Sequence, residues 1–318
     1  MGVGDIAAVS ALLDAASAHD GHPALGEHQW LDLVDGGREG CAGLVAWEAG
    51  NPQPVGYAQV TRDDRSWALE YSVDPGWRSS PEVANDLVHE ASRVVAEAGG
   101  GHLHLWRSHP TAETDEVAAS VGLRRGRDLL QLRRPLPVEP TPREATALSR
   151  NASAARGGAP ALRGGAPALA VRTFEPGRDE DAWLEVNNRA FDWHPEQGGW
   201  DLATIKSREA EPWFDPAGFL LHEESDRLAG FCWTKVHADH DPPLGEIYVI
   251  AVDPAFGGRG LGRRLTLSGL DHLARQGLKV GMLYVDASNA TARALYDHLG
   301  FSVNHVDRAY TGDIPSGR

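Results

Sequence analysis

Along the second half of the chain the spacing of apolar positions changes period several times. Residues 219–222 and 228–236 are apolar runs joined at Glu224-Ser225-Asp226, which predicts neighbouring strands and a turn. Residues 246–252 form an unbroken apolar run rich in β-branched side chains, the pattern of a strand buried on both faces. A glycine-rich turn follows. Leu267, Leu270 and Ala274 then recur at helical spacing, and residues 280–285 read as another strand. Asn289 can cap a helix in which Ala292, Leu295 and Leu299 define a buried stripe, with Tyr296 at its edge and Gly300 as the C′ glycine. In the first half, His102 and His104 alternate with Leu103 and Leu105, a strand with one half-exposed face.

Between the halves, residues 135–170 are rich in Pro, Ala, Gly and Arg and poor in large apolar side chains. Arg156-Gly157-Gly158-Ala159-Pro160-Ala161-Leu162 is repeated at once as Arg163-Gly164-Gly165-Ala166-Pro167-Ala168-Leu169. Proline and paired glycine break helices, so the period is no coiled coil and predicts a flexible tether. The flanking halves share short matches in order. Val55-Gly56-Tyr57 echoes Ala229-Gly230-Phe231, Val73-Asp74-Pro75 echoes Val252-Asp253-Pro254, and Val121-Gly122-Leu123 echoes Leu299-Gly300-Phe301. The expectation is a duplicated mixed α/β fold, with domains at 1–134 and 170–318 and a linker at 135–169.

Composition narrows the function. The 318 residues carry 30 Lys plus Arg against 45 Asp plus Glu, a net charge of −15, which argues against a polyanionic partner such as nucleic acid. Two cysteines, Cys41 and Cys232, cannot build a disulfide framework; both read as buried structural thiols in a reducing cytoplasm. Asp5 and Asp14 interrupt the apolar N-terminal stretch, so no signal peptide is expected, and no apolar run has the ~20 residues of a membrane span. The ten tryptophans read as core and cleft walls.

The sharpest local feature is Gly257-Gly258-Arg259-Gly260-Leu261-Gly262, after a strand and opening a helix. Glycines let successive amides converge, and the helix start adds unpaired N–H donors, a combination suited to a pyrophosphate. Arg263 and Leu265 stand where a dinucleotide-binding G-x-G-x-x-G needs its last glycine, and no Gly-Lys-Ser/Thr completes a P-loop. A glycine-rich connection without ligand is the alternative.

Strand, glycine turn, helix, strand, then Asn289-Ala290-Thr291-Ala292-Arg293-Ala294-Leu295-Tyr296 and Leu299-Gly300-Phe301 resemble the GNAT superfamily of acetyl-CoA-dependent N-acetyltransferases. Its pyrophosphate motif has Gln or Arg where this chain has Gly257. The segments His194-Pro195-Glu196-Gln197-Gly198-Gly199-Trp200, Glu211-Pro212-Trp213-Phe214-Asp215-Pro216, residues 231–240 and Gly245-Glu246-Ile247-Tyr248-Val249 are similar to the tandem-domain mycothiol synthase family of actinobacteria. That resemblance implies two GNAT-like domains, each a mixed sheet flanked by helices. It also implies acetylation of the cysteinyl α-amine of cysteinyl-glucosaminyl-inositol by a cytoplasmic monomer.

Site residues follow from the resemblance. Glu246 is implied as general base and Tyr296 as general acid toward the leaving thiolate. Ile250, Ala251 and Val252 would offer backbone groups to the acetyl and pantetheine part. Gly257, Gly258, Arg259, Gly260, Leu261, Gly262 and Arg263 would cradle the pyrophosphate, and Asn289, Ala290, Thr291, Ala292, Arg293 and Ala294 would line the coenzyme arm. Glu27, Glu196, Lys235, Glu246 and Tyr284 are implied as substrate contacts. In the first half, Ser80, Pro81 and Val83 fall where Arg259, Gly260 and Gly262 stand, Ala118 where Tyr296 stands and Trp67 where Glu246 stands. That copy is expected to lack cradle, acid and base. His237, Asp239, His240 and Asp241 are close in sequence, but no third ligand cluster accompanies them and no metal is expected. Asp286 and Ser288 read as caps of the following helix. The competing readings are a GNAT enzyme for another amine, a non-catalytic acyl-CoA sensor and, more distantly, an aminoacyl transferase.

Overall fold

The alternating and continuous apolar runs pair into sheets, and amphipathic helices cover them. The computed structural model describes residues 1–34, 36–62, 66–79, 81–138, 169–192, 198–238 and 240–317, with the backbone alone at 3, 27 and 28. The tether repeat up to Ala168, Glu196 and Ser80 lie outside the described residues, and Leu169, the last residue of the repeat, is buried. Two compact units form: Met1–Leu130 with Asp286–Ser288 and His305–Arg318, and Gln131–Val285 with Asn289–Asn304.

In the first unit, helices α1 (Ile6–Asp20) and α2 (Glu27–Val34) precede strands β1 (Cys41–Trp47), β2 (Pro54–Arg62) and β3 (Trp67–Val73). Helix α3 (Pro81–Glu97), strand β4 (Gly101–Ser108), helix α4 (Ala112–Ser120) and strand β5 (Arg124–Pro135) follow. The hairpin β1–β2–β3 is antiparallel, and β3 pairs with β4 in parallel across α3. Leu103 and Leu105 are fully buried while His102 and His104 are half exposed, as the alternation predicts. The core gathers Leu69, Leu87, Val88, Ala91, Leu103 and Leu105.

Strand β11 (Ser302–Ile314) adds antiparallel to β4 from Asp307↔Ser108 to Ile314↔Gly101. Tyr310 on it is buried, its hydroxyl donating to Asp115 at 2.8 Å, and Arg308 forks onto Asp128 at 2.7 and 2.9 Å. The sequence-based boundaries of 1–134 and 170–318 therefore differ from the compact units at both ends. From His305 onward the chain's last strand counts with the first unit, and residues 131–138 count with the second.

The second unit contains helices α5 (Glu180–Ala190), α6 (Leu202–Glu209), α7 (Leu261–Arg275) and α8 (Ala290–His298). Its strands are β6 (Arg172–Thr173), β7 (Phe219–Glu224), β8 (Arg227–His237), β9 (Leu244–Val252) and β10 (Val280–Asp286). Strands run in the order β10-β9-β8-β7-β6, with β9 and β10 parallel across α7 and the rest antiparallel. The predicted turn between β7 and β8 has Ser225 and Asp226 both at positive φ, 54° and 59°, the twist that matches a two-residue hairpin. On one face Trp183, Phe219, Phe231 and Trp233 are fully buried, with Phe219 stacked on Trp233 at 4.4 Å.

Helix α7 meets the sheet through Leu265, Thr266, Gly269, Leu270 and Leu273 rather than through the predicted Leu267 and Ala274. A small residue is needed here because a Cβ on Gly269 would lie 2.5 Å from Cys232 Sγ and 2.7 Å from Ile247 Cδ1. Gly269→Ala gains about 1 kcal/mol of helix propensity but overpacks at a cost of about 1–3 kcal/mol. A net loss of about 1 kcal/mol in chemical denaturation is the expected result.

Candidate active site

Strand β9 carries the most concentrated chemistry. Its pairing with β8 skips one residue: Trp233 opposes Val249 and Thr234 opposes Ile247, which leaves Tyr248 as a bulge. A bulge adds a residue to one strand and re-aims the side chains on either side of it. Glu246 lies just before it, buried at 7% exposure, directly across from Lys235. His237, at the end of β8, places Nε2 2.7 Å from Glu246 Oε2. Lys235 Nζ sits 4.4 Å from the centre of the Trp213 ring and 5.8 Å from that of Tyr248. Two aromatic faces, a cation and a buried carboxylate thus converge on one side of the hairpin.

The ladder between β9 and β10 runs only from Leu244↔Val280 to Ile247↔Leu283. Ile250, Ala251 and Val252 lie beyond its end, so their backbone groups on the β10 side are not taken up by that ladder. Asp253 then turns the chain: its Oδ1 accepts from the Ala255 amide at 2.9 Å and its Oδ2 from Arg189 Nη2 at 2.7 Å. Burial works to raise the Asp253 carboxyl, but the Ala255 amide and Arg189 outweigh it and hold the group below its usual range.

The glycine turn comes next. Gly258 and Gly260 have φ of 75° and 70°, a region that side-chain-bearing residues rarely enter. Gly260 is the N-cap of α7 and supplies no side-chain acceptor, so the first amides of a fifteen-residue helix point outward uncapped. Arg259 is exposed and paired with Glu224 at 2.6 Å. Leu261 is buried and offers only its amide. An anion bearing several oxygens fits this concavity, since the turn provides donors and no Cβ obstructs it.

Helix α8 begins as the sequence predicts: Asn289 Oδ1 accepts from the Ala292 amide at 3.0 Å. Asp286 does not cap it; it braces the preceding turn by accepting from the Ser288 amide and hydroxyl at 2.8 and 2.6 Å. The helix ends with Gly300 N–H on the Asp297 carbonyl at 2.9 Å and Phe301 N–H on the Tyr296 carbonyl at 3.0 Å, a Schellman ending. Ala290, Thr291, Arg293 and Ala294 are exposed along its outer face.

Tyr296 corrects the sequence reading. It is not at the edge of the stripe; it is the buried residue of α8, at 6% exposure, with its ring 5.7 Å from Phe301. Burial, with the Cys232 thiol nearby, pushes its phenol above the usual range, so the proton stays on oxygen. Cys232 is the cross-strand partner of Ile250, which brings Tyr296 toward the part of β9 past the bulge. Cys232 is fully buried and its thiol is pushed up to about 12 by burial; Cys41, predicted buried, is only half-buried. Tyr284 on β10 is exposed at 38%, its hydroxyl accepting from Gln131 Nε2 at 2.8 Å.

Of the predicted substrate contacts, the structure joins Lys235 and Glu246 directly. Glu196 lies outside the described residues, and Glu27 is described by its backbone alone, at the start of α2. His237 is the residue that sequence reasoning assigned elsewhere, as a weighed metal ligand. Its partner is a carboxylate, with the His240 ring edge-on at 5.6 Å. Asp239 lies outside the described residues, and among those described no group of His, Cys, Asp and Glu side chains could hold a metal ion.

The first unit repeats the frame without these groups. Asp74 accepts from the Gly76 amide at 2.8 Å as Asp253 does from Ala255, and α4 ends with Leu123 N–H on the Ala118 carbonyl at 3.0 Å. Ala118 therefore stands where Tyr296 does. Helix α3 opens at Pro81, which has no N–H to offer. The β2–β3 ladder is unbroken, so the counterpart of Glu246 shifts by one residue from the expected Trp67. Ala68 pairs with His104 as Glu246 pairs with Met282, and a methyl group replaces the carboxylate.

Residues 182–301 match the Acetyltransferase (GNAT) family. The same fold recurs, at 22% identity and a TM-score of 0.71, in a GCN5-related N-acetyltransferase from Sphaerobacter thermophilus, covering 99% of this chain and 94% of that one. It recurs at 17% identity and a TM-score of 0.66 in a tandem GNAT protein from the clavulanic acid biosynthesis pathway, covering 99% and 96%. A GNAT acetyltransferase is the class that this sheet, turn and match define. Mycothiol acetyltransferase of Acidimicrobium ferrooxidans is 41% identical over 311 residues, 97% of this chain and 94% of the relative. That of Thermomonospora curvata is 42% identical over 310 residues, 98% and 94%. The chain belongs to the mycothiol acetyltransferase family.

Among the described residues, no helix is long and apolar enough to cross a membrane.

Proposed function

We propose that the chain transfers acetyl from acetyl-CoA to the cysteinyl α-amine of cysteinyl-glucosaminyl-inositol, giving mycothiol and CoA. The observation that carries this reading is the buried Glu246 carboxylate, held by His237, on the strand that runs into an uncapped glycine turn. An α-amine has a pKa of roughly 7.7–8.0, so a carboxylate or a water it orients suffices to remove its proton. Glu246 takes that role. Lys235, Glu196, Tyr284 and Glu27 contact the sugar and cysteinyl groups.

Bound acetyl-CoA supplies an activated thioester. Residues 257–263 hold its pyrophosphate through backbone amides, and residues 289–294 line the arm. Ile250, Ala251 and Val252 offer backbone groups to the pantetheine and the carbonyl oxygen. Tyr296 gives its hydroxyl proton to the departing thiolate. The first unit, with Ala68 and Ala118 in the two key places, is a scaffold rather than a second catalyst. The free thiols suit a reducing cytoplasm, and the acidic charge argues against a nucleic-acid partner.

Mass spectrometry of an incubation with acetyl-CoA and the cysteinyl precursor tests the reaction. The expected product is the precursor plus one acetyl group on nitrogen; faster turnover of a different amine would overturn the assignment. Arg189 offers a second check, because it braces Asp253 ahead of the turn. Arg189→Ala is expected to raise KM for acetyl-CoA about 3- to 10-fold, a loss of about 1 kcal/mol. KM for acetyl-pantetheine, which has no pyrophosphate, should not change.

A further inference from the structure

We propose that His237 is a positioning residue for acetyl transfer: its Nε2–H fixes one oxygen of Glu246 so that the other faces the incoming amine. This rests on Glu246 being the base. The geometry comes from the hairpin. Strand β8 ends at His237 opposite Leu244, and Glu246 is two residues further on, on the same face. The 2.7 Å contact uses Oε2 and leaves Oε1 without a claim from His237. The imidazole is more exposed than the carboxylate, 19% against 9% for the side chains, so it forms the outer wall of the site. The edge-on ring of His240 backs it.

A carboxylate that accepts a hydrogen bond is favoured in its charged form, and the bond also removes rotation about its last torsion. Both effects help a base that must be ionised and aimed. The reaction needs this control because one proton must leave per turnover: an ammonium and a thioester become an amide, a thiol and a free proton. Oε1 takes the proton from nitrogen while Oε2 stays bonded. The other charged or titratable groups on these two strands and their loop, among the described residues, are Lys235 across from Glu246, Tyr248 at the bulge, His240 and Asp241 in the loop, and Arg227 and Cys232 further back along β8. Removal of His237 leaves Lys235 in place, so the effect of the imidazole can be read separately.

The test uses the full chain with acetyl-CoA and cysteinyl-glucosaminyl-inositol, comparing His237→Ala, His237→Gln and Glu246→Gln. Glutamine places an N–H near the position of Nε2. His237→Ala is expected to lower kcat about 10- to 100-fold, the worth of one hydrogen bond to a charged group, with KM for acetyl-CoA unchanged. His237→Gln should restore most of the rate. An unchanged kcat in His237→Ala, a loss that falls on KM for acetyl-CoA instead, or a glutamine variant as slow as the alanine one overturns the proposal. Should Glu246→Gln retain parental turnover, the base assignment itself fails. If the parent prefers another amine, only the substrate reading fails, and the same comparison runs on that amine.

Discussion

Replacing Tyr296 with phenylalanine is expected to lower kcat by on the order of 100-fold or more while leaving KM for acetyl-CoA and the melting temperature nearly unchanged. Phenylalanine keeps the ring against Phe301 and removes only the hydroxyl, so packing is spared. Burial favours the protonated phenol, the form that can donate. Without it the thiolate must leave uncompensated or find a proton from water. Steady-state rates of CoA release, followed with a thiol reagent, measure the change. A parental rate in the variant would show that the proton comes from elsewhere and would return Tyr296 to a packing role.

Glu246→Gln is expected to cost roughly 100- to 10,000-fold in kcat near neutral pH. The glutamine fits the same volume, and its carbonyl can still accept from His237, so the local fold is kept and the lost property is basicity. The deficit should shrink as pH rises through the amine's own titration, near ~8, because hydroxide then does what the carboxylate did. A deficit that stays constant with pH would indicate that Glu246 binds the substrate rather than deprotonating it. The two variants also separate cleanly in kind: the glutamate defect eases at high pH, and the tyrosine defect does not.

Much of the second unit was legible from residue pattern. Strands β7 to β10 follow from apolar runs, and helix α8 from the Asn289 cap and the Gly300 stop, because those signals are local and carried by one or two residues. Three features were not. The bulge at Tyr248 leaves no trace in a strand that is apolar on both faces, since a shift of one residue changes nothing in an unbroken run. His237 gave no sign of its partner because Glu246 is brought to it by a hairpin whose register only the fold reveals. Strand β11 is not among the strands the residue pattern predicts. Its place beside β4 rests on Tyr310, Arg308 and their acidic partners, scattered far apart in sequence.

The burial of Tyr296 was missed for a related reason. A helix with a few apolar positions fixes the phase of its inner face to within about a residue, and α8 turns its tyrosine, not Leu295, toward the sheet. Glu27 and Glu196 were proposed from resemblance, and pattern alone carries no argument for either.

The extra residue in β9 also bears on how two copies of one gene segment come to do different work. Up to Ile247 the halves align with one offset and from Val249 with another, the difference being a single codon. Deleting Tyr248 would close the ladder as it is closed in β3, with Glu246 still opposite Lys235 as Ala68 is opposite Thr61. The extra codon and the exchange of Ala68 for Glu246 are thus separate differences between the halves, one of length and one of chemistry.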